Sequence, residues 1–114
     1  MAYKIKPFAD SEIEVYFSRD KYRRFLKKHE HDNESLDNLA GQSIWLEHGA
    51  TYRHVFAIGI FEDIADTCIH EAVHAVDNIM ERYNIHDREF KAYMTGYISC
   101  ELFNLCKKVF VDGN

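Results

Sequence analysis

The longest periodic segment of the chain lies between residues 60 and 96, and no glycine or proline interrupts it. Apolar side chains recur through its first half every three or four residues, which is the spacing of one helix face. A second stripe of histidines and acids runs from His70 to Glu81 on nearly the opposite side. The pattern predicts a helix over Glu62–Tyr83 whose apolar side packs on the core and whose polar side faces a cleft.

Shorter segments predict the remaining elements. Ser18 and Asp87 are good N-caps for two further helices, and Asn84 suits a left-handed cap after the first. Residues 1–11, which hold the only proline, are expected to form an extended lead-in. The elements predict an α+β domain with a small antiparallel sheet of about three strands packed on three helices. Besides the long helix, the predicted elements are a strand at Glu12–Phe17, a helix at Arg19–Lys28, a hairpin of Ala40–Leu46 with Tyr52–Phe61, and a last helix from Arg88 to about Lys108.

The composition indicates one folded domain over residues 1–114, since 46% of the residues are hydrophobic. A net charge of −5 argues against nucleic acid as a partner, and no apolar run approaches the length of a membrane span. The N-terminus lacks the apolar segment of a signal peptide, so we expect a cytoplasmic protein.

Cys68, Cys100 and Cys106 lie in apolar, helix-like contexts and are expected to be buried free thiols. The sequence does not indicate an oligomeric state.

The long helix carries His70-Glu71-Ala72-Val73-His74, an H-E-x-x-H pattern. Residues four apart on a helix are rotated by only about 40°, so both imidazoles project from one face and can bind a single ion. Glu71 lies about 60° from His74, where its carboxylate can reach a water molecule on the ion without being a ligand. Zinc hydrolases need two neutral nitrogens that hold the ion and a carboxylate that accepts a proton. Cys68 lies about 200° from His70 and is not expected to be a ligand.

A catalytic zinc site also needs a third protein ligand. The metzincin class places Gly and His where this chain has Asp77 and Met80, so that class is excluded. The remaining choice is a carboxylate from the next helix. If the two helices form a plain antiparallel pair, Glu101 is expected to lie level with His70. A solvated polar face would need no third ligand, and this alternative stays open.

The stretch after the motif helix resembles the E-x-x-A-Y-x-x-G-Y sequence of small phage- and prophage-encoded zinc metallopeptidases. In this chain it reads Glu89-Phe90-Lys91-Ala92-Tyr93-Met94-Thr95-Gly96-Tyr97. The strand before the motif is also similar to theirs, and the resemblance covers about residues 41–102. It implies a minimal gluzincin-like zincin in the host cell cytoplasm, with Zn²⁺ held by His70, His74 and Glu89 and with Glu71 as general base. Glu89 follows His74 at a shorter interval than in that family.

These features predict a zinc-dependent metallopeptidase whose peptide or protein substrate lies extended along the edge of the hairpin. Glu71 would accept a proton from the water that the metal activates and pass it to the leaving amine. The alternative is a non-catalytic binding module of the zincin fold that acts on a host protein. Asp77 is expected to orient a metal ligand. The candidates for stabilising an oxyanion are His54, His86, Tyr93 and Tyr97.

Overall fold

The structure is a computed structural model that describes residues 3–8, 11–31, 35–48 and 53–111. Of residues 47, 48, 53, 54 and 111 it describes the backbone alone. Within these ranges the chain forms four strands, three α-helices and a final π-helical turn. In chain order they are β1 (Tyr3–Ile5), β2 (Ile13–Tyr16), α1 (Arg19–Lys28), β3 (Gly41–His48), β4 (Arg53–Ile60), α2 (Ile64–Tyr83), α3 (Arg88–Cys106) and the π-helical turn Lys107–Val111.

The four strands form one mixed sheet in the order β1-β2-β4-β3. β1 pairs with β2, and β3 with β4, in antiparallel fashion, whereas β2 and β4 run parallel with Ile13 opposite Phe56. The α+β class is confirmed. The sheet has four strands where about three were predicted, and the prediction that it is antiparallel is wrong for the pair β2 and β4. β1 spans three residues, too few for an alternating pattern to show. Parallel partners that lie far apart in sequence leave no local signal at all.

Both faces of the sheet are covered by helices. Alternate residues of each strand point to opposite faces. Val15 and Ile58 belong to a buried cluster with α2 and α3, and Ala57 belongs to a second cluster with Tyr22 and Phe25 of α1. Two helices therefore pack on one face and α1 packs on the other, and strand residues on both faces are buried.

The helix ends confirm the caps read from the sequence. α1 has the predicted bounds, and the Ser18 hydroxyl accepts a hydrogen bond from the backbone N–H of Lys21 at 3.3 Å. α2 ends at the predicted residue, where Asn84 takes a left-handed φ of 54°. The Asp87 carboxylate accepts a hydrogen bond from the N–H of Glu89 at 2.7 Å and so caps α3. Each of these caps depends on neighbours in sequence, which is why the sequence predicts them.

No helix in the described part of the chain is long and apolar enough to cross a membrane. All three cysteines are free; Cys68 and Cys106 are buried as predicted. Cys100 is exposed, and the prediction that it is buried is wrong. It lies two residues after the buried Ile98, a rotation of about 200° that turns it to the outer face of α3.

Two glycines provide a matched test of this packing. A Cβ at Gly41 would lie 2.5 Å from the Thr67 methyl group and 2.6 Å from the Gly59 carbonyl oxygen. Gly41→Ala is therefore expected to lower the free energy of unfolding by about 1–3 kcal/mol. A Cβ at Gly96, in the interior of α3, would meet nothing within 4 Å. Because alanine favours a helix more than glycine does, Gly96→Ala is expected to raise the free energy of unfolding by about 1 kcal/mol. Urea unfolding followed by circular dichroism measures both, and the same sign for the two variants would contradict the close approach at Gly41.

Candidate metal centre

His70 and His74 face each other across one turn of α2. Their Nε2 atoms are 3.1 Å apart and their ring centroids 4.7 Å apart. Two imidazoles that bind one tetrahedral zinc at about 2.0–2.1 Å need their nitrogens about 3.3 Å apart. Both rings are exposed, so an ion can reach them from solvent. The pair therefore fits a two-nitrogen metal site with almost no rearrangement.

Glu71 lies beneath this pair and is buried. Its side chain is 7% exposed, and its Oε2 atom is 4.0 Å from the Nε2 atom of His70. Within the described ranges, no group donates a hydrogen bond to its carboxylate. The residue also lines an open cleft, through which a cation or water can reach its carboxylate. The oxygen lies beside the histidines, and the role of Glu71 as a base instead of a ligand stays a prediction.

The start of β3 fixes the position of Glu71. The Ser43 hydroxyl donates a hydrogen bond to the Glu71 carbonyl oxygen at 2.7 Å. At Gly41 the strand comes so close that a Cβ would lie 3.2 Å from the Glu71 Cγ atom. The helix face that carries Glu71 is therefore held against the edge strand of the sheet, because β3 is the last strand in the order.

A cleft of about 400 Å³ opens beside Glu71. One wall is the segment that leads into β3, and the other is the first two turns of α2. The outer edge of β3 begins at this cleft, so an extended peptide could pair with the strand and enter it. The polar side chains that line the cleft are Asn38, Asp63, Asp66, Thr67, His70 and Glu71.

α2 and α3 pack side by side as an antiparallel pair. The Asp77 carboxylate lies 3.0 Å from the Lys91 ammonium group, and the thiols of Cys68 and Cys106 are 3.5 Å apart. Asp77, which was expected to orient a metal ligand, is thus engaged by a lysine of α3. The contact with Cys106 and burial raise the pKa of the Cys68 thiol. Cys68 faces the core, away from the histidines, as predicted.

The two candidate third ligands both lie on α3. The two contacts between the helices bring Glu101 close to the level of the motif, whereas Glu89 lies beyond His74 toward the end of α2. In the described part of the chain, no group of three or more His, Cys, Asp or Glu is placed to hold a metal ion. The structure thus brings His70, Glu71 and His74 together, but neither glutamate of α3 with them. Glu89 as the third ligand stays a prediction.

The four residues expected to stabilise an oxyanion lie on three parts of the chain, with Tyr93 and Tyr97 one turn apart on α3. The His86 ring contacts the Asn84 side chain at 3.0 Å in the connection after α2. Tyr93 and Tyr97 are 74% and 43% exposed on α3. His54 lies in β4, but its side chain is outside what the structure describes. None of the four is placed at the motif by a described contact, so this role stays a prediction.

Four residues at the site escaped sequence reasoning. Asp66 precedes His70 by one helical turn. This spacing could have indicated that Asp66 lies on the same helix face as His70, toward the cleft. Asp63 takes a left-handed φ of 48° at the start of α2, which the residues around it do not indicate. Gly41 and Ser43 act through a tertiary contact between a strand and a helix, and no local pattern could show it.

Comparisons with family models, with curated proteins and with solved structures find no match to this chain. The resemblance of residues 89–97 to small phage metallopeptidases therefore stays a prediction.

Proposed function

We propose that the chain is a zinc-dependent metallopeptidase that holds Zn²⁺ with His70, His74 and a carboxylate of α3. The observation that supports this most is the 3.1 Å separation of the two Nε2 atoms above a buried carboxylate. A solvated polar face gives no reason to place a carboxylate whose side chain is only 7% exposed beneath the two histidines. The resemblance described above favours Glu89 as the third ligand. The three free cysteines fit action in a reducing cytoplasm, that of the host if the protein is phage-encoded.

Glu71 performs the proton transfers of the proposed reaction. When bound, zinc supplies Lewis-acid chemistry that lowers the pKa of water and polarises a peptide carbonyl. Glu71 accepts the proton of the attacking water and passes it to the amine nitrogen that leaves. Its oxygens accept no hydrogen bond from the described residues, so they are available for this proton.

The substrate in this proposal is an extended peptide. β3 lies at the edge of the sheet, and its first residues border the cleft and Glu71. Main-chain hydrogen bonds to the free edge of a strand bind a peptide without regard to its sequence, and pockets beside the edge select its side chains. A peptide paired with the first residues of β3 would border the cleft that Glu71 and His70 line.

A second candidate is a binding module of the zincin fold that cleaves nothing and acts on a host protein. It is favoured by one observation, since within the described ranges only two metal-ligand side chains come together. The same edge strand and cleft would then bind a peptide segment of the partner. Measurements of zinc content and of Glu71-dependent hydrolysis separate the two functions.

The first prediction of the proposed function concerns zinc content. Purified protein is expected to carry about one zinc per chain, and His70→Ala and His74→Ala are each expected to lose it. His86→Ala is the matched control, because His86 is an exposed histidine that contacts Asn84 and lies after α2. Elemental analysis of the four proteins measures the metal. Unchanged zinc in both motif variants would exclude the proposed site.

The second prediction concerns Glu71. Glu71→Gln is expected to keep the zinc and the fold but to lower peptide hydrolysis by about 10²–10⁴-fold, since a general base is lost and no ligand is removed. Glu81→Gln, an exposed position on the same helix, is the control. Mass spectrometry of a peptide library measures cleavage. Equal cleavage by wild type and Glu71→Gln would refute the mechanism, and a wild type that cleaves nothing would favour the binding module.

The third prediction concerns the third ligand. Glu89→Ala is expected to lower zinc affinity by about tenfold or more, because a carboxylate ligand is lost, while Glu101→Ala leaves it nearly unchanged. Competition titration against a chelator measures both affinities. The reverse ranking would mean that the antiparallel arrangement of α2 and α3 places Glu101 at the metal and that the resemblance is misaligned after Asn84.

A further inference from the structure

Two of the three cysteines of the chain meet inside the core, where α2 packs against α3. Cys68 lies near the start of α2 and Cys106 is the last residue of α3. They are 38 positions apart in sequence, yet their Sγ atoms are 3.5 Å apart. Both residues belong to the same buried cluster. The antiparallel course of the two helices therefore brings together two thiols that no local pattern would pair.

The two sulfur atoms are close to the geometry of a disulfide. A disulfide joins sulfur atoms about 2.0 Å apart, so these two have to approach each other by about 1.5 Å. The regular α-helix ends at Cys106, where the π-helical turn begins, so a shift of this residue does not bend a longer α-helix. A cysteine that only fills space in a core needs no second sulfur beside it, whereas a reversible disulfide needs such a pair.

The pair also lies where a small oxidant can reach it. Cys106 is 5% exposed at the edge of the core, and Cys68 is fully buried behind it. A cysteine that an oxidant reaches, with a second thiol in contact, is the arrangement of redox-sensing pairs. Cys100 is exposed, but it lies about 9 Å from Cys106 along the axis of α3 and about 120° around it. In the folded chain Cys106 can therefore pair with Cys68 and not with Cys100.

We propose that hydrogen peroxide converts Cys68 and Cys106 into a reversible disulfide that links the start of α2 to the end of α3. The Cys106 sulfur attacks one peroxide oxygen, the O–O bond breaks, and water leaves with the thiol proton. The sulfur of Cys68 then attacks the resulting sulfenic acid of Cys106, the S–O bond breaks, and a second water leaves with the Cys68 proton. The two thiols lose two electrons, and the peroxide gains them.

This modification site is independent of the proposed function. The thiols lie on the core side of α2, whereas the rings of His70 and His74 are exposed, and the oxidation needs no metal. The disulfide would close a loop that contains the motif and the connection between the helices, and so would fix the position of α3 along α2. Disulfides of cytosolic proteins are usually transient and redox-sensing, so a dithiol is expected to restore the free thiols.

The first test maps the disulfide in the full chain, kept metal-free with a chelator. The folded protein is treated with hydrogen peroxide, its remaining thiols are alkylated, and mass spectrometry identifies the linked peptides after digestion. We expect a peptide pair joined through Cys68 and Cys106, lighter by two hydrogen atoms than the two free peptides. In the same treatment in urea, Cys100–Cys106 is expected to dominate, because the shorter loop closes more readily in an unfolded chain.

The second test measures whether the folded core accommodates the link. The variant Cys100→Ser removes the exposed thiol, so that only the buried pair can be oxidised. Its urea midpoint is expected to rise by about 1–2 M on oxidation, because the link restricts the unfolded chain, and to return with dithiothreitol. Cys100→Ser/Cys106→Ala is the matched control and is expected to show no shift. The reduced form of Cys100→Ser serves as a second control should the double variant not fold.

Three results would overturn the inference. The first is the absence of the Cys68–Cys106 peptide from the oxidised, folded chain. The second is the formation of this peptide to the same extent in urea, which would mean that the fold does not direct the pairing. The third is a linked form whose urea midpoint is no higher than that of the reduced form. Zinc content and hydrolysis test the proposed function and do not change with any of these results.

Discussion

The close approach of α2 to the first residues of β3 is the contact on which the site depends. Buried residues of α2, among them Ala72 and Ala75, let the helix lie close to the sheet. Gly41 leaves room for Glu71, and the Ser43 hydroxyl binds the Glu71 carbonyl oxygen. Because this contact fixes the rotation of α2 about its axis, the motif histidines point to solvent while Glu71 points into the cleft.

The charges of the chain are distributed unevenly between the two faces of the sheet. On the face covered by α1, Lys21, Arg24 and Lys28 line a shallow hollow. The cleft beside the motif helix is lined by carboxylates such as Asp66 and Glu71. The net charge of −5 is therefore not spread evenly over the surface. Such a separation of charge orients an approaching charged molecule before any contact is made.

The parts of the fold that were predicted correctly depend on residues close in sequence. The bounds of α1, the end of α2 at Asn84 and the Asp87 cap belong to this class, and so does the pairing of His70 with His74 along one helix. The parts that were missed depend on contacts between distant segments: the parallel pairing of β2 with β4, and the register of α3 on α2. The choice of a third ligand depends on that register, which is why the sequence alone left it open.

The parallel pairing of β2 with β4 also bears on how the domain folds. β3, β4 and α2 follow one another along the chain, so their contacts close short loops. β2 can join β4 only after the chain between them has crossed the sheet and returned, which closes a much longer loop. Short loops form faster, so the hairpin and the motif helix are favoured to associate first. The paired histidines lie within this early unit, so the proposed metal ion would stabilise it before the sheet is complete.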